Sequence, residues 1–254
     1  MAAPSAPSEP IWTLEHRVAP RFEFQGEWVT VRGVRDFCWR SLTDYDARWE
    51  DRSFRLTELS GLWYVVTPFV KAWRGLAHTL LSFQFGQDRF LTLSVEARRR
   101  EGQRYGFVKG MFRQFGLIYV VGTEEDVLVH RAIHRDHELL LFPVKIGPDR
   151  LRELFLRMAR SANQLRENPE FYHTLSNNCT TRIVDHVNAV VPERIPGGWR
   201  ILFPGHSDEL ARGLGLLDVE GSIDDARQRW RANQRIRQWE GSPDFSVKIR
   251  EGVG

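Results

Sequence analysis

Between residues 26 and 34 the chain reads GEWVTVRGV, an alternation that sets Trp28, Thr30 and Arg32 on one face and Val29, Val31 and Gly33 on the other. That two-residue period predicts a strand. Over residues 36–59 charged and aromatic side chains follow no clear period, which predicts loops and short turns wrapped over the surface. From Ala77 the pattern sharpens. AHTLLSFQF and RFLTLSVEAR are β-rich runs separated by Gly86, Gln87 and Asp88, the composition of a hairpin turn. If the loop is those three residues, Phe85 pairs with Arg89, and the register continues until His78 stands across from Glu96 with both side chains on one face. GLIYVVG (116–122), DVLVHRAI (126–133) and HELLLFPVKI (137–146) read as further strands of an antiparallel meander.

The period then becomes helical. After Pro148 and Asp149, the residues Leu151, Leu154, Phe155, Met158, Ala162 and Leu165 recur on one face until Asn168 and Pro169 stop the run. A second helix over 179–191, CTTRIVDHVNAVV, carries Ile183, Val184, Val187 and Val190 or Val191 as its apolar stripe, with Asn177 or Asn178 as the cap and Pro192 as the stop. Residues 222–240 read as one polar terminal helix. Strands followed by helices predict an α+β domain, its antiparallel sheet packed against the helices at 149–167 and 179–191. The organisation expected is a flexible arm over 1–20, whose first ten residues are rich in Pro, Ser and Ala, a main domain over 21–220, and a helix and tail over 221–254.

At 254 residues, 42% apolar and 27% charged, the chain can bury a core that needs no disulfide or metal. Its longest apolar stretches, at 62–70 and 117–121, fall short of the roughly 20 residues of a membrane-spanning helix. The opening MAAPSAPSEP has neither the basic nor the apolar region of a secretory signal, which suits a cytoplasmic chain or one whose targeting segment or anchor was removed. A net charge of +3, with arginines spread among acids, argues against nucleic acid as a partner.

The candidate chemistry centres on cysteine. Cys38 and Cys179 could form a disulfide, but Cys179 sits at the start of a helix, where free backbone N–H groups and the positive dipole end stabilise a thiolate. The same N–H groups, with the amides of Asn177 and Asn178, could hold an oxyanion. The plainer alternative is a small buried residue beside a cap. A cysteine nucleophile needs a base, and the base needs an orienting group. His78 stands near the start of an otherwise apolar strand with Glu96 as its neighbour, although a lone strand histidine is more often a core residue. His186 lies two helical turns from Cys179, about 10 Å away and too far, while His173 on the preceding loop competes for the role. His130, His134 and His137 with Asp136 suggest a metal, yet on alternating strands they need not converge, so neither a metal nor a cofactor is expected.

A strand histidine, a polar partner on the next strand and an Asn-Cys pair opening a later helix resemble the circularly permuted papain-like fold, the group that includes lecithin-retinol acyltransferase. More closely, AHTLLSFQFG, FLTLSVEARRREGQRY, GMFRQFGLIYVVGTEEDVL and FYHTLSNNCTTRIVDHVN are similar to the periplasmic domain of the Lnb family of bacterial lipoprotein N-acyltransferases. The resemblance implies acyl transfer through a thioester on Cys179, with His78 as base and Glu96 or a nearby polar residue as its orienter. Asn177, Asn178, Ser94 and Tyr119 are assigned to oxyanion and substrate binding. It further implies a phospholipid or lipoprotein glyceride as acyl donor, the amine of a lipidated N-terminal cysteine as acceptor, and a periplasmic place at the inner-membrane surface. The alternatives are a thiol peptidase or amidase acting on cell-wall peptides and a lipid- or lipoprotein-binding module without turnover.

Overall fold

The computed structural model describes residues 10–70, 73–192 and 194–253 of the chain. Its strands are β1 (Arg21–Gln25), β2 (Trp28–Arg35), β3 (Cys38–Trp39), β4 (Tyr45–Asp46), β5 (Trp49–Arg55), β6 (Leu59–Val70), β7 (Trp73–Phe85), β8 (Arg89–Arg98), β9 (Gly116–Gly122) and β10 (Leu140–Pro143). The helices are α1 (Phe107–Met111), α2 (Glu124–Val129), α3 (Pro148–Glu167), α4 (Cys179–Asn188), α5 (Trp199–Leu202), α6 (Ser207–Gly213), α7 (Ile223–Arg229), α8 (Asn233–Trp239) and α9 (Phe245–Lys248). This is an α+β chain built on one large sheet.

The β7–β8 hairpin is its spine, and the expected register is the observed one: Phe85 pairs with Arg89 and Leu80 with Ser94. Gly86 turns the corner at φ +64°, a backbone that glycine adopts without strain. The neighbours run β1-β2-β9-β8-β7-β6-β10, so β6 to β9 form the antiparallel meander, while β2 meets β9 in parallel at Arg35 and Gly122. None of the described helices is long and apolar enough to cross a membrane.

Alternation gives the sheet two buried faces. Ala77, Leu81, Phe83 and Phe85 of β7 point with Leu91, Leu93 and Val95 of β8 at α3 and α4. Along α3, Leu151, Leu154, Phe155, Met158, Ala159, Ala162 and Leu165 are all buried, and each large side chain so removed from water contributes ~1.5–3 kcal/mol. On the reverse face Leu80 packs with Val65 of β6 and with Val127, Leu128, Ile236 and Phe245.

Several expectations change. Residues 126–133 are helical, not a strand: the Thr123 hydroxyl accepts from Asp126 N to cap α2, and Glu124, Glu125 and Asp126 suit the positive end of its dipole. Val127, Leu128 and Val129 are buried on every side, which erases the helical period. A π-helical turn, His130–His134, follows. The stretch 36–59 includes a strand, β5, paired along β2; only Phe54 among its seven residues is fully buried, so the edge strand shows no apolar alternation. Of 137–146 only β10 forms a strand, and it lies against β6 at the sheet edge. Residues 222–240 break into α7 and α8, because the backbone between them extends the edge of β10: Leu141 N donates to Trp230 O and Ala232 N to Leu139 O. Of the expected arm, residues 1–9 lie outside the described residues, whereas 12–16 are packed, with Trp12 bridged to Arg100 and His16 only 3% exposed.

Candidate active site

The start of α4 is held by its cap. Asn178 Oδ1 accepts from Thr180 N and Thr181 N, both at 2.9 Å, and Thr181 Oγ1 accepts from Asn178 N at 2.9 Å, closing a reciprocal box. Asn178 Nδ2 donates to Thr174 O at 2.6 Å. Cys179 is therefore the first helical residue, buried and unpaired, while Cys38 is exposed and equally free, so no disulfide joins them. The sulfur lies 3.7 Å from Thr180 Oγ1, and that hydroxyl lies 3.0 Å from Thr79 Oγ1 on β7. The Thr79–Thr180 contact thus pins the helix to the sheet between a residue next to His78 and a residue next to Cys179.

His78 Nε2 lies 2.6 Å from Ser94 Oγ, which donates to Glu96 Oε1 at 2.9 Å. Arg131 Nη2 also donates to Oε1 at 2.7 Å, and His16 Nε2 lies 3.3 Å from Oε2. Because a carboxylate only accepts, the single Ser94 proton goes to Glu96, and Ser94 Oγ must accept from His78 Nε2–H. That fixes the tautomer and leaves the lone pair on His78 Nδ1. Burial and then the Arg131 cation push the His78 imidazole down to about 3, against the pull of Glu96, so it is neutral at rest. Burial opposes ionisation of Glu96, but Arg131 together with the imidazoles of His16 and His78 holds its carboxyl well below the usual range.

These groups meet at a cleft of about 220 Å³ bordered by His78, Glu96, Arg131, Tyr172, Asn178 and Cys179. The β7–β8 ladder ends at Leu80 and Ser94, and the cleft lies beyond it, where the strands part. His78 continues the face of Leu80 and Ser82 that looks toward α2, whereas Cys179 packs with Ala77 on the face of α3 and α4. The sulfur and the imidazole border one cavity from the two sides of that gap, and among the described residues no hydrogen bond spans it.

The remaining sequence candidates divide. Ser94 is not at a substrate surface; it is fully buried between the imidazole and the carboxylate, and so is itself the polar group that orients His78. The Asn178 side chain is spent on the cap, and Asn177 binds Phe171 O at 2.8 Å and Arg182 Nε at 2.6 Å, outside the cleft lining. The helix-start donor left without a partner among the described residues is the Cys179 N–H. Tyr119 is buried below the sheet, its hydroxyl 2.6 Å from His186 Nε2 and 3.1 Å from Ser161 Oγ, away from the cleft. His173 Nδ1 accepts from Leu175 N and Ser176 N and does not line the cleft. His130 stacks on Trp39 at 3.8 Å, and no His, Cys, Asp and Glu cluster suited to a metal occurs among the described residues. The sequence pattern does not single out His16, which falls in the expected arm, or Arg131, which falls in an expected strand. Nor does it single out Tyr105 and Tyr172, whose hydroxyls lie 3.4 Å apart at the cleft.

Fold and site together describe an α+β domain that gathers a thiol, an imidazole and an ionised carboxylate around one cleft. The chain belongs to the family described as the Lnb N-terminal periplasmic domain, whose model matches residues 45–205, well over half of the sequence. That span contains His78, Ser94, Glu96 and Cys179, while His16 lies before it. Neither the curated proteins nor the solved structures include a match.

Proposed function

We propose that this domain moves a fatty acyl group through a thioester on Cys179, with a permuted papain-like arrangement in which the base-bearing strand precedes the nucleophile helix. The observation that carries the reading is the cleft itself, bordered by Cys179 and by an imidazole whose Nε2–H is committed, through Ser94, to Glu96. His78 Nδ1 takes the thiol proton as the sulfur attacks the ester carbonyl. The Cys179 N–H receives the developing oxyanion. The alkoxide of the donor lipid leaves with the proton from the imidazolium, and an amine then attacks the thioester and releases the thiol. Catalytic hydrogen bonds are often open without substrate, and the Sγ–Nδ1 bond is one that forms in the complex.

The family's periplasmic description supports a periplasmic site of action; the reading extends this to a phospholipid or lipoprotein glyceride as donor and the N-terminal amine of a lipidated lipoprotein as acceptor, at the inner-membrane surface. A second reading, a lipid-binding module without turnover, draws on the two faces of the sheet from which Cys179 and His78 approach. Incubation with an acyl-labelled phospholipid followed by mass spectrometry of the denatured chain separates them. An acyl mass on the wild type that is lost in Cys179→Ala and falls ~10²- to 10⁴-fold in rate in His78→Ala is the expected outcome. A wild-type chain that binds lipid and never acquires the mass overturns the transferase.

A further inference from the structure

Beneath α4 lies a second cavity of about 550 Å³, next to the cysteine cleft: Thr180 lines the one and Cys179 the other. Its size falls within the roughly 300–1,000 Å³ of ordinary small-molecule sites. The walls are aliphatic: Ile183, Val184 and Val187 from α4, Leu62 and Leu81 from the sheet, and Leu214 after α6 all line it.

The polar groups it contains are already satisfied. Tyr64 Oη lies 2.7 Å from Ser207 Oγ, which donates in turn to Pro204 O, and Thr180 Oγ1 lies 3.0 Å from Thr79 Oγ1. A ligand therefore meets hydrocarbon, except at Lys145 and Arg150. Both are exposed, and neither side chain forms an ion pair among the described residues. Two unpaired cations beside an aliphatic interior complement a molecule with one end charged and the other apolar.

We propose that this cavity binds a single long alkyl chain that ends in an anionic head, a carboxylate or a phosphate, with the chain under α4 and the head at Lys145 and Arg150. Cys179 does not line this cavity, although the neighbouring Thr180 does, and the binding proposed here needs no acyl transfer at the thiol. The walls contribute affinity through apolar burial, so each CH₂ removed from the ligand weakens binding about fourfold. The two cations add a smaller, salt-sensitive part, because exposed ion pairs are weak.

The test is equilibrium binding to the Cys179→Ala chain, which cannot form a thioester, with palmitate, decanoate, a lysophosphatidic acid and the neutral hexadecanol as probes. Palmitate and the lysophosphatidic acid should bind, and decanoate should bind far more weakly. Val184→Trp and Leu214→Trp fill the cavity from opposite walls at partly buried positions and should abolish binding. The exposed pair Lys145→Glu and Arg150→Glu together should weaken palmitate about tenfold. Binding unaffected by either Trp, or no binding by a chain with a native circular dichroism spectrum, overturns the site. Equal affinity for hexadecanol and palmitate overturns the role of the two cations. Since no outcome depends on the thiol, failure here leaves the transferase untouched, and failure of the transferase leaves this site standing.

Discussion

The two faces of the sheet are built from different materials. Toward α3 the contacts are mostly carbon on carbon: Phe155 meets Phe83 and Phe85 edge-on, at 5.2 Å and 5.4 Å, among Leu154, Met158, Leu91 and Leu93, and the Tyr119 hydroxyl with Ser161 and His186 is a neutral polar exception. Toward α2 the buried groups are polar and paired. Asp126 receives both Arg35 Nε at 2.7 Å and Arg35 Nη2 at 3.0 Å, and Trp39 Nε1 besides. Glu124 receives Ser82 and Arg250, and Glu96 receives Ser94, Arg131 and His16. The dry face holds the fold together through area and shape, which many residues supply jointly. The polar face depends on each partner singly, because a buried charge left alone costs far more than the pair contributes. His78 and Glu96 stand on that second face, where each protonation state is set by named neighbours.

The sharpest way to break this contrast is to orphan a buried charge. Asp126→Ala leaves Arg35, 4% exposed, without its carboxylate and should cost ~3–5 kcal/mol in urea unfolding. Replacing both, as Arg35→Met with Asp126→Leu, should recover most of that loss; a single variant as stable as wild type would erase the contrast.

Acid should act mainly on the polar face. The His78 pKa is lower in the folded than in the unfolded chain, so between pH 6.5 and about 3 the unfolded chain binds the extra proton and stability falls as pH falls. From His78 alone the loss is about 1.6 kcal/mol between pH 6.5 and 5. His16, His130 and His137, and His186 on the α4 side, also held below their ordinary value by burial, add in the same direction. Glu96, whose folded pKa is depressed, loses its contribution only at still lower pH. A denaturation midpoint that is flat from pH 6.5 to 4, or unchanged in slope by His78→Gln, would contradict the assignment.

Thr79→Val removes one hydroxyl of the contact that pins α4 to β7 and leaves the Thr180 hydroxyl with only the weak Cys179 sulfur as partner, which should cost ~1–3 kcal/mol. Thermal melting measures the cost, and the same variant should slow adduct formation at Cys179 by loosening the helix start. The smallest effect belongs to the dry face: Met158→Leu nearly conserves volume and should cost under ~1.5 kcal/mol. A larger loss would show that this face, too, is intolerant of shape.

Much of this was legible residue by residue. The hairpin register followed from three turn residues and two β-rich runs, and it predicted the neighbourhood of His78 and Glu96, although the ladder itself stops at Leu80 and Ser94. The stripe of α3 and the cap of α4 were equally local, since each is written in residues three or four apart. α2 was misread because a run buried on all sides carries no period, and β5 because an edge strand shows almost none.

What the sequence by itself determined is therefore short-range: the hairpin, the apolar stripe, the Asn178 cap that sets Cys179 at a helix start, and membership of the family. Only the tertiary structure decided that Ser94 stands between His78 and Glu96, that Arg131 and His16 hold the carboxylate ionised, and that the thiol and the imidazole enter one gap from two faces. Turns, caps and periods are free energies between near neighbours in the chain. Charge pairing and cavities arise among residues far apart in sequence, such as His16 and Glu96 or Thr79 and Thr180, whose meeting no local pattern records.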